Sequence, residues 1–108
     1  MREPLTFQKF HLENILRNEE VFPTCKEWNY SDWFLALVGE VGELGNLLKK
    51  LKRQDFTENE IRRQLADEIA DVQTYLDLLA GHLNINLEKA VRLKFNEVSE
   101  RFNSSRRL

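Results

Sequence analysis

The sequence has no cysteine to pair: Cys25 is the only one, which excludes an intramolecular disulfide and suits a reducing compartment. It also has no apolar run near the roughly 20 residues that a membrane span needs. The opening stretch MREPLTFQKF lacks the apolar segment of a secretory leader. A cytoplasmic protein with no membrane partner is the expectation. Positive charge is not in excess, because 16 Lys+Arg stand against 18 Asp+Glu for a net charge of -2. Bulk charge therefore gives no reason to expect a nucleic-acid partner. Alternation of β-branched residues is missing, and with it any strand signal. No internal repeat or low-complexity segment is present.

Helical periodicity is what remains, in four segments. Helix 1 is expected over Thr6–Val21, with Phe7, Phe10, Leu12 and Ile15 as its apolar side. Pro23 and the stretch PTCKEWNY break it. Ser31 reads as the N-cap of helix 2, with Asp32 in the first turn complementing the dipole, and that helix runs to about Arg53. Thr57 and Glu60 form a T-x-x-E capping box opening helix 3 near Glu58, which fades at Gly81–Asn84. Asn86 caps helix 4, which carries Leu87, Ala90, Val91, Leu93, Phe95, Val98 and Phe102. The tail NSSRRL is expected to fray. The prediction is a single all-α, four-helix bundle-like domain over 1–108.

Two carboxylate pairs stand out against this background. Glu40 and Glu43 lie in LALVGEVGELGNLLKKL, and Glu68 and Asp71 lie in LADEIADVQTYLDLLA. Each i,i+3 pair shares one helix face. Stepping about 100° per residue places Glu40 centrally among Trp33, Leu37, Leu44, Leu47 and Leu51, with Glu43 to one edge. On helix 3, Ile61, Leu65, Val72 and Leu79 cluster beside Glu68, Asp71 takes the polar edge, and Tyr75 falls between the two. Each helix thus offers one inward and one rim carboxylate, and antiparallel neighbours can bring such pairs face to face. The alternative is rim charges paired with Lys50, Lys52 or Arg62. Four carboxylates near a core are costly without a cation, and oxygen-only ligands suit a hard ion such as Mg²⁺. Asp77 and Glu58 fall away from this face and are expected in solvent. Gly39 and Gly42 flank Glu40 at positions where a neighbouring helix or a phosphate can approach closely, or where helices simply pack tightly. Phe34, Val38 and Val41 lie off the Glu40 face, so a homo-oligomer, dimer or tetramer, is expected.

GEVGEL (Gly39–Leu44) followed by DEIADVQTYL (Asp67–Leu76) resembles the MazG-like all-α nucleoside triphosphate pyrophosphohydrolases. KFNEVSERF (Lys94–Phe102) resembles a K-F-x-x-x-x-x-R stretch near the end of many members, so the likeness covers about 31–102. The family pattern is E-E-x-x-E on one helix and E-x-x-D on the next. Its first Glu is Gly39 here, which is similar to the dCTP pyrophosphatase and small MazG-like branches and argues against a dimeric dUTPase. The resemblance implies Glu40, Glu43, Glu68 and Asp71 as ligands of Mg²⁺, or of Mn²⁺ in its place. It implies cleavage of a nucleoside triphosphate to monophosphate and pyrophosphate, with Glu43 orienting or deprotonating the attacking water. Lys94 and Arg101 are the implied phosphate contacts, against a plain reading as an exposed helix face. Trp28, Trp33, Phe7 and Tyr75 are the aromatic candidates for stacking on the base, of which Trp33 shares the face of Glu40 and Tyr75 that of Glu68 and Asp71. His11 is a substrate candidate because related enzymes place a substrate-contacting His on helix 1.

Three functions fit these features. The first is a Mg²⁺-dependent nucleotide pyrophosphohydrolase, acting on non-standard or deoxycytidine nucleotides in pool sanitation. The second is phosphoribosyl-ATP pyrophosphohydrolase, on the same fold and chemistry. The third is a non-catalytic helical module that dimerises and binds a protein partner, which the intact carboxylate pairs oppose.

Overall fold

The computed structural model describes residues 2–108, and Met1, to which the sequence assigns no role, lies outside them. Four α-helices follow one another: α1 (Phe7–Val21), α2 (Tyr30–Lys52), α3 (Glu58–His82) and α4 (Leu87–Arg101). A 3₁₀ turn over Pro23–Glu27 joins the first two, and the described residues contain no strand. The expected helix count, order and all-α class are therefore observed.

Side-chain caps start each α-helix. The Thr6, Thr57 and Asn86 side chains accept from the backbone N–H of Lys9, Glu60 and Lys89. Thr57 and Glu60 complete the expected capping box, with Glu60 accepting from the Thr57 N–H at 3.0 Å. Helix α2 starts earlier than expected. Asn29, not Ser31, is its cap, accepting from the N–H of Ser31 and Asp32, while Asp32 accepts from the Asn29 N–H. The reciprocal Asn–Asp pair satisfies more free N–H groups than a lone serine, which leaves Ser31 inside the first turn.

Three helices end alike. Gln54, Asn84 and Asn103 each take a left-handed φ of 66°, 58° and 56°. Asp55, Ile85 and Ser104 then donate back to the carbonyls of Lys50, Ala80 and Ser99. This is the Schellman termination, built without glycine. The tail does not fray as expected: the Asn96 side chain donates to the Leu108 carbonyl and accepts from the Leu108 N–H.

Helices α2 and α3 form an antiparallel pair across a short turn, and they make the principal contact of the chain. Trp33, Ile61, Leu78 and Ala80 are its buried apolar residues. Helix α1 lies on α3, and α4 touches α1 and α3 but not α2. The radius of gyration is 16.7 Å, against the roughly 13 Å of a closed domain of this length. Many large apolar side chains stay exposed, among them Phe34, Leu35, Val38, Val41 and Leu48 of α2.

Polar contacts dock α1. Asp77 is the most buried side chain described, at 1% exposure, and not the solvated residue expected from its place on α3. The face of α3 opposite Glu68 meets α1 rather than water. There the His11 Nδ1 lies 3.1 Å from both Asp77 oxygens. Asn14 donates to Asp77 Oδ2 and to the Thr74 carbonyl, each at 3.0 Å. Gly81 makes room for this arrangement: a Cβ there would stand 2.8 Å from His11 Cε1 and 3.3 Å from Ile15 Cδ1. Glu58, as expected, is exposed and pairs with Arg62. Replacing Asp77 by Ala strands the buried Asn14 amide and frees the half-exposed His11, so the denaturation midpoint should fall by the equivalent of about 1–3 kcal/mol. Denaturant titration at fixed protein concentration measures it, and an unchanged midpoint would show that α1 is held by its apolar contacts instead.

Candidate metal centre

The antiparallel α2–α3 pair sets Glu40 opposite Glu68 and Asp71. A carboxylate oxygen from each of these three lies within 4.8 Å of the other two. Glu40 and Glu68 are half-buried and Asp71 is exposed, so the expected inward and rim positions are realised. Glu43 is exposed and lies outside this triad, yet it stands close enough to Glu68 and Glu40 to act on both.

The crowding is visible in the acidities. Burial, then the charges of Glu43 and Asp71, push the Glu40 carboxyl up to about 7. Burial and Glu43 raise Glu68 as well. Tyr75 is raised by burial first and then by Glu40 and Asp71, which places its hydroxyl at the same cluster. Like charges this close disfavour ionisation unless a cation compensates them.

Glu40 Oε2 and Glu68 Oε2 are buried and accept no hydrogen bond among the described residues. Buried carboxylate oxygens without donors are costly, and these two belong to the triad itself. An all-oxygen, carboxylate-only donor set fits a hard divalent cation such as Mg²⁺. Glu40, Glu68 and Asp71 can therefore hold such an ion, with Glu43 beside them.

Other residues singled out by sequence lie elsewhere. Lys94 and Arg101 both pair with Glu97 on their own helix, at 3.5 and 3.2 Å, and α4 does not pack on α2. His11 is held by Asp77 and faces a cleft of about 440 Å³ lined also by Phe7, Asn84, Asn86 and Glu88. Trp33 is buried with its ring centroid 4.6 Å from that of Trp28. Both tryptophans border a second cleft, of about 210 Å³, with Cys25 and Leu78. A Cβ at Gly39 or Gly42 would meet nothing within 4 Å, so no close approach within the described residues accounts for either glycine.

Two residues near the cluster escaped the sequence reading. The Cys25 thiol group and the Arg17 guanidinium both lie near enough to influence the Tyr75 hydroxyl. Neither belongs to a motif, and each reaches the site from an element whose docking only the tertiary structure reveals.

The acidities carry a consequence. Glu40 is protonated more readily in the folded chain than in the unfolded one, so its contribution to stability is complete below about pH 4.5 and disappears as pH rises through about 7. The melting temperature of the metal-free protein should fall between pH 5 and 8, less so in Glu40→Gln, and Mg²⁺ should restore it at the upper end. A thermal scan across pH with and without Mg²⁺ reads both, and a slope identical in wild type and Glu40→Gln would remove Glu40 as the cause.

No family model matches the chain. Among curated proteins it is similar to dCTP pyrophosphatase 1 of the rat, Rattus norvegicus, at 33% identity over 100 residues, covering 84% of this chain and 58% of the relative. The protein of the same name from Bos taurus is 32% identical, again over 84% of this chain and over 59% of its own length. That from Mus musculus is 33% identical, with 84% and 58% covered. The chain thus spans a little under three fifths of the relatives it matches.

Proposed function

We propose that the chain, which is similar to dCTP pyrophosphatase 1 of three mammals, is a MazG-like, Mg²⁺-dependent pyrophosphohydrolase. Its substrate is a nucleoside triphosphate, dCTP foremost, and its products are the monophosphate and pyrophosphate. The observation that carries the reading is the triad of Glu40, Glu68 and Asp71, with its two buried oxygens lacking a donor. A helical interaction module has no use for such a cluster, which costs stability wherever no cation meets it. Removal of non-standard or surplus deoxynucleotides is the role that suits this activity.

Glu40, Glu68 and Asp71 would hold the ion, with Glu43 completing the set. The ion's chemistry would be to neutralise phosphate charge and make the α-phosphorus more electrophilic. Water attacks that phosphorus, the bond from it to the oxygen bridging to the β-phosphate breaks, and pyrophosphate leaves with the bridging oxygen. Glu43, exposed beside the triad, would orient the water and accept its proton. Lys94 and Arg101 would serve as phosphate contacts once released from Glu97, and the aromatic candidates for the base are Tyr75 at the cluster and buried Trp33 through the cleft it borders. His11 stands ready for the substrate only if the ligand extends to its cleft.

A nucleotide panel with Mg²⁺, reading monophosphate and pyrophosphate, tests the proposal. Release of orthophosphate and a diphosphate instead would mean that the wrong bond is cut, and turnover of phosphoribosyl-ATP alone would favour that second substrate. Glu43→Gln should lower kcat at least about tenfold. Lys94→Ala should raise KM and lower kcat as well, since charge grows on the leaving group.

A second copy of the chain is the proposed cover for the outer face of α2, where Phe34, Leu35, Val38, Val41 and Leu48 are exposed. The open space at Gly39 and Gly42 lies on the same helix. Light scattering should return at least a dimer, and a species of about the 12.9 kDa chain mass at micromolar concentration would sink this.

A further inference from the structure

Asp77 is a buried acid that the chemistry at the carboxylate cluster does not use. It is 1% exposed and lies on the face of α3 opposite Glu68. Its partners orient it in one sense. The Asn14 Nδ2 donates both to the Thr74 carbonyl and to Asp77 Oδ2. The His11 Nδ1 stands 3.1 Å from each Asp77 oxygen. A carboxylate oxygen accepts, so the ring hydrogen sits on Nδ1 and the neutral imidazole presents a lone pair at Nε2.

That second nitrogen has no hydrogen-bond partner among the described residues. The ring packs on Gly81, where a Cβ would stand 2.8 Å from Cε1 and 3.6 Å from Nε2, and 44% of the His11 side chain stays exposed. It opens on the cleft of about 440 Å³ where α1, α3 and α4 meet. Phe7 and Ile85 supply apolar walls there, Asn84 and Glu88 polar ones, and no lysine or arginine lines it. Phosphate recognition calls for such cations. The cleft suits the uncharged, ring-bearing end of a nucleotide instead.

We propose that Asp77 is a positioning residue for base selection. By keeping the hydrogen on His11 Nδ1 it makes Nε2 an acceptor, which favours a base with an amino group over one with a carbonyl at the same place, cytosine over uracil. An amino N–H meets the lone pair, whereas a carbonyl oxygen sets lone pair against lone pair. This rests on the pyrophosphohydrolase reading, and the selection acts on the base whichever copy's carboxylates hold the phosphates. The network also dictates what an isosteric amide does. Asn14 cannot turn its amide over without setting its oxygen against the Thr74 carbonyl. In Asp77→Asn the remaining oxygen therefore stays with Asn14 and the new N–H faces His11. Nδ1 must then accept, the hydrogen moves to Nε2, and the preference reverses.

The test compares wild type, Asp77→Asn and His11→Gln in the full chain with Mg²⁺, at about pH 8 where an imidazole is ordinarily neutral. Three readouts are taken: kcat/KM for dCTP and dUTP, NMR titration with deoxycytidine and deoxyuridine, and long-range ¹H–¹⁵N spectra that locate the His11 ring hydrogen. Wild type should carry it on Nδ1 and favour the amino base about tenfold in both assays. Asp77→Asn should carry it on Nε2 and favour the carbonyl base. His11→Gln, whose amide both donates and accepts, should show no preference. A loss in Asp77→Asn that is equal for the two bases means a purely structural contact and overturns the proposal, as does a wild-type hydrogen on Nε2. Should Asp77→Asn fail to fold, a wild-type preference retained in His11→Gln overturns it. A nucleoside preference that follows Asp77 without any cleavage of triphosphate would sink the pyrophosphohydrolase reading and leave this assignment standing.

Discussion

Mutual repulsion among carboxylates held half-buried between α2 and α3 is the constraint on which the rest of the chain depends. Glu40, Glu68 and Asp71 bring ligand oxygens within 4.8 Å of one another, and Glu43 adds to the crowding. A fold selected for stability alone would have apolar side chains there, because buried charge without compensation is destabilising. The cost is visible in a Glu40 carboxyl raised to about 7 and in two oxygens without donors. A divalent cation would remove both penalties at once, so the feature that weakens the metal-free chain is the one on which the proposed phosphate chemistry rests.

The helices divide the work around this cluster. Capping at both ends gives α2 and α3 defined registers, and the left-handed Gln54 turns the chain sharply between them. Helix α1 contributes little apolar burial to its contact with α3. Its position comes from a carboxylate shared by His11 and Asn14, a directional contact that sets register as well as proximity. Helix α4 is the outlier, lying apart from α2 with its cations paired internally.

The exposed apolar surface follows from the same economy. With only Trp33, Ile61, Leu78 and Ala80 as buried apolar residues, the described chain leaves Phe34, Val38 and Val41 facing outward. A chain of four helices, one pair of which encloses a carboxylate cluster, has little left with which to cover α2 from outside.

Four helices, their order, the capping box at Thr57 and the inward placement of Glu40 and Glu68 were all legible in the sequence. Each depends on spacing within one helix, where a period near 3.6 residues fixes which side chains share a face. Docking was not legible. Asp77 lies away from the carboxylate face of α3 and so reads as solvated, yet it is buried because α1 packs there. Asn29 displaced Ser31 as the cap because a reciprocal bond with Asp32 outweighs a single hydroxyl. Arg17 carries no motif, and its charge is felt at Tyr75 only because His11 and Asn14 dock α1 on α3. Periodicity orders residues around one helix axis, but the angle and register between two helices come from contacts distant in the chain, so the carboxylate faces could be read in one dimension and their surroundings only in three.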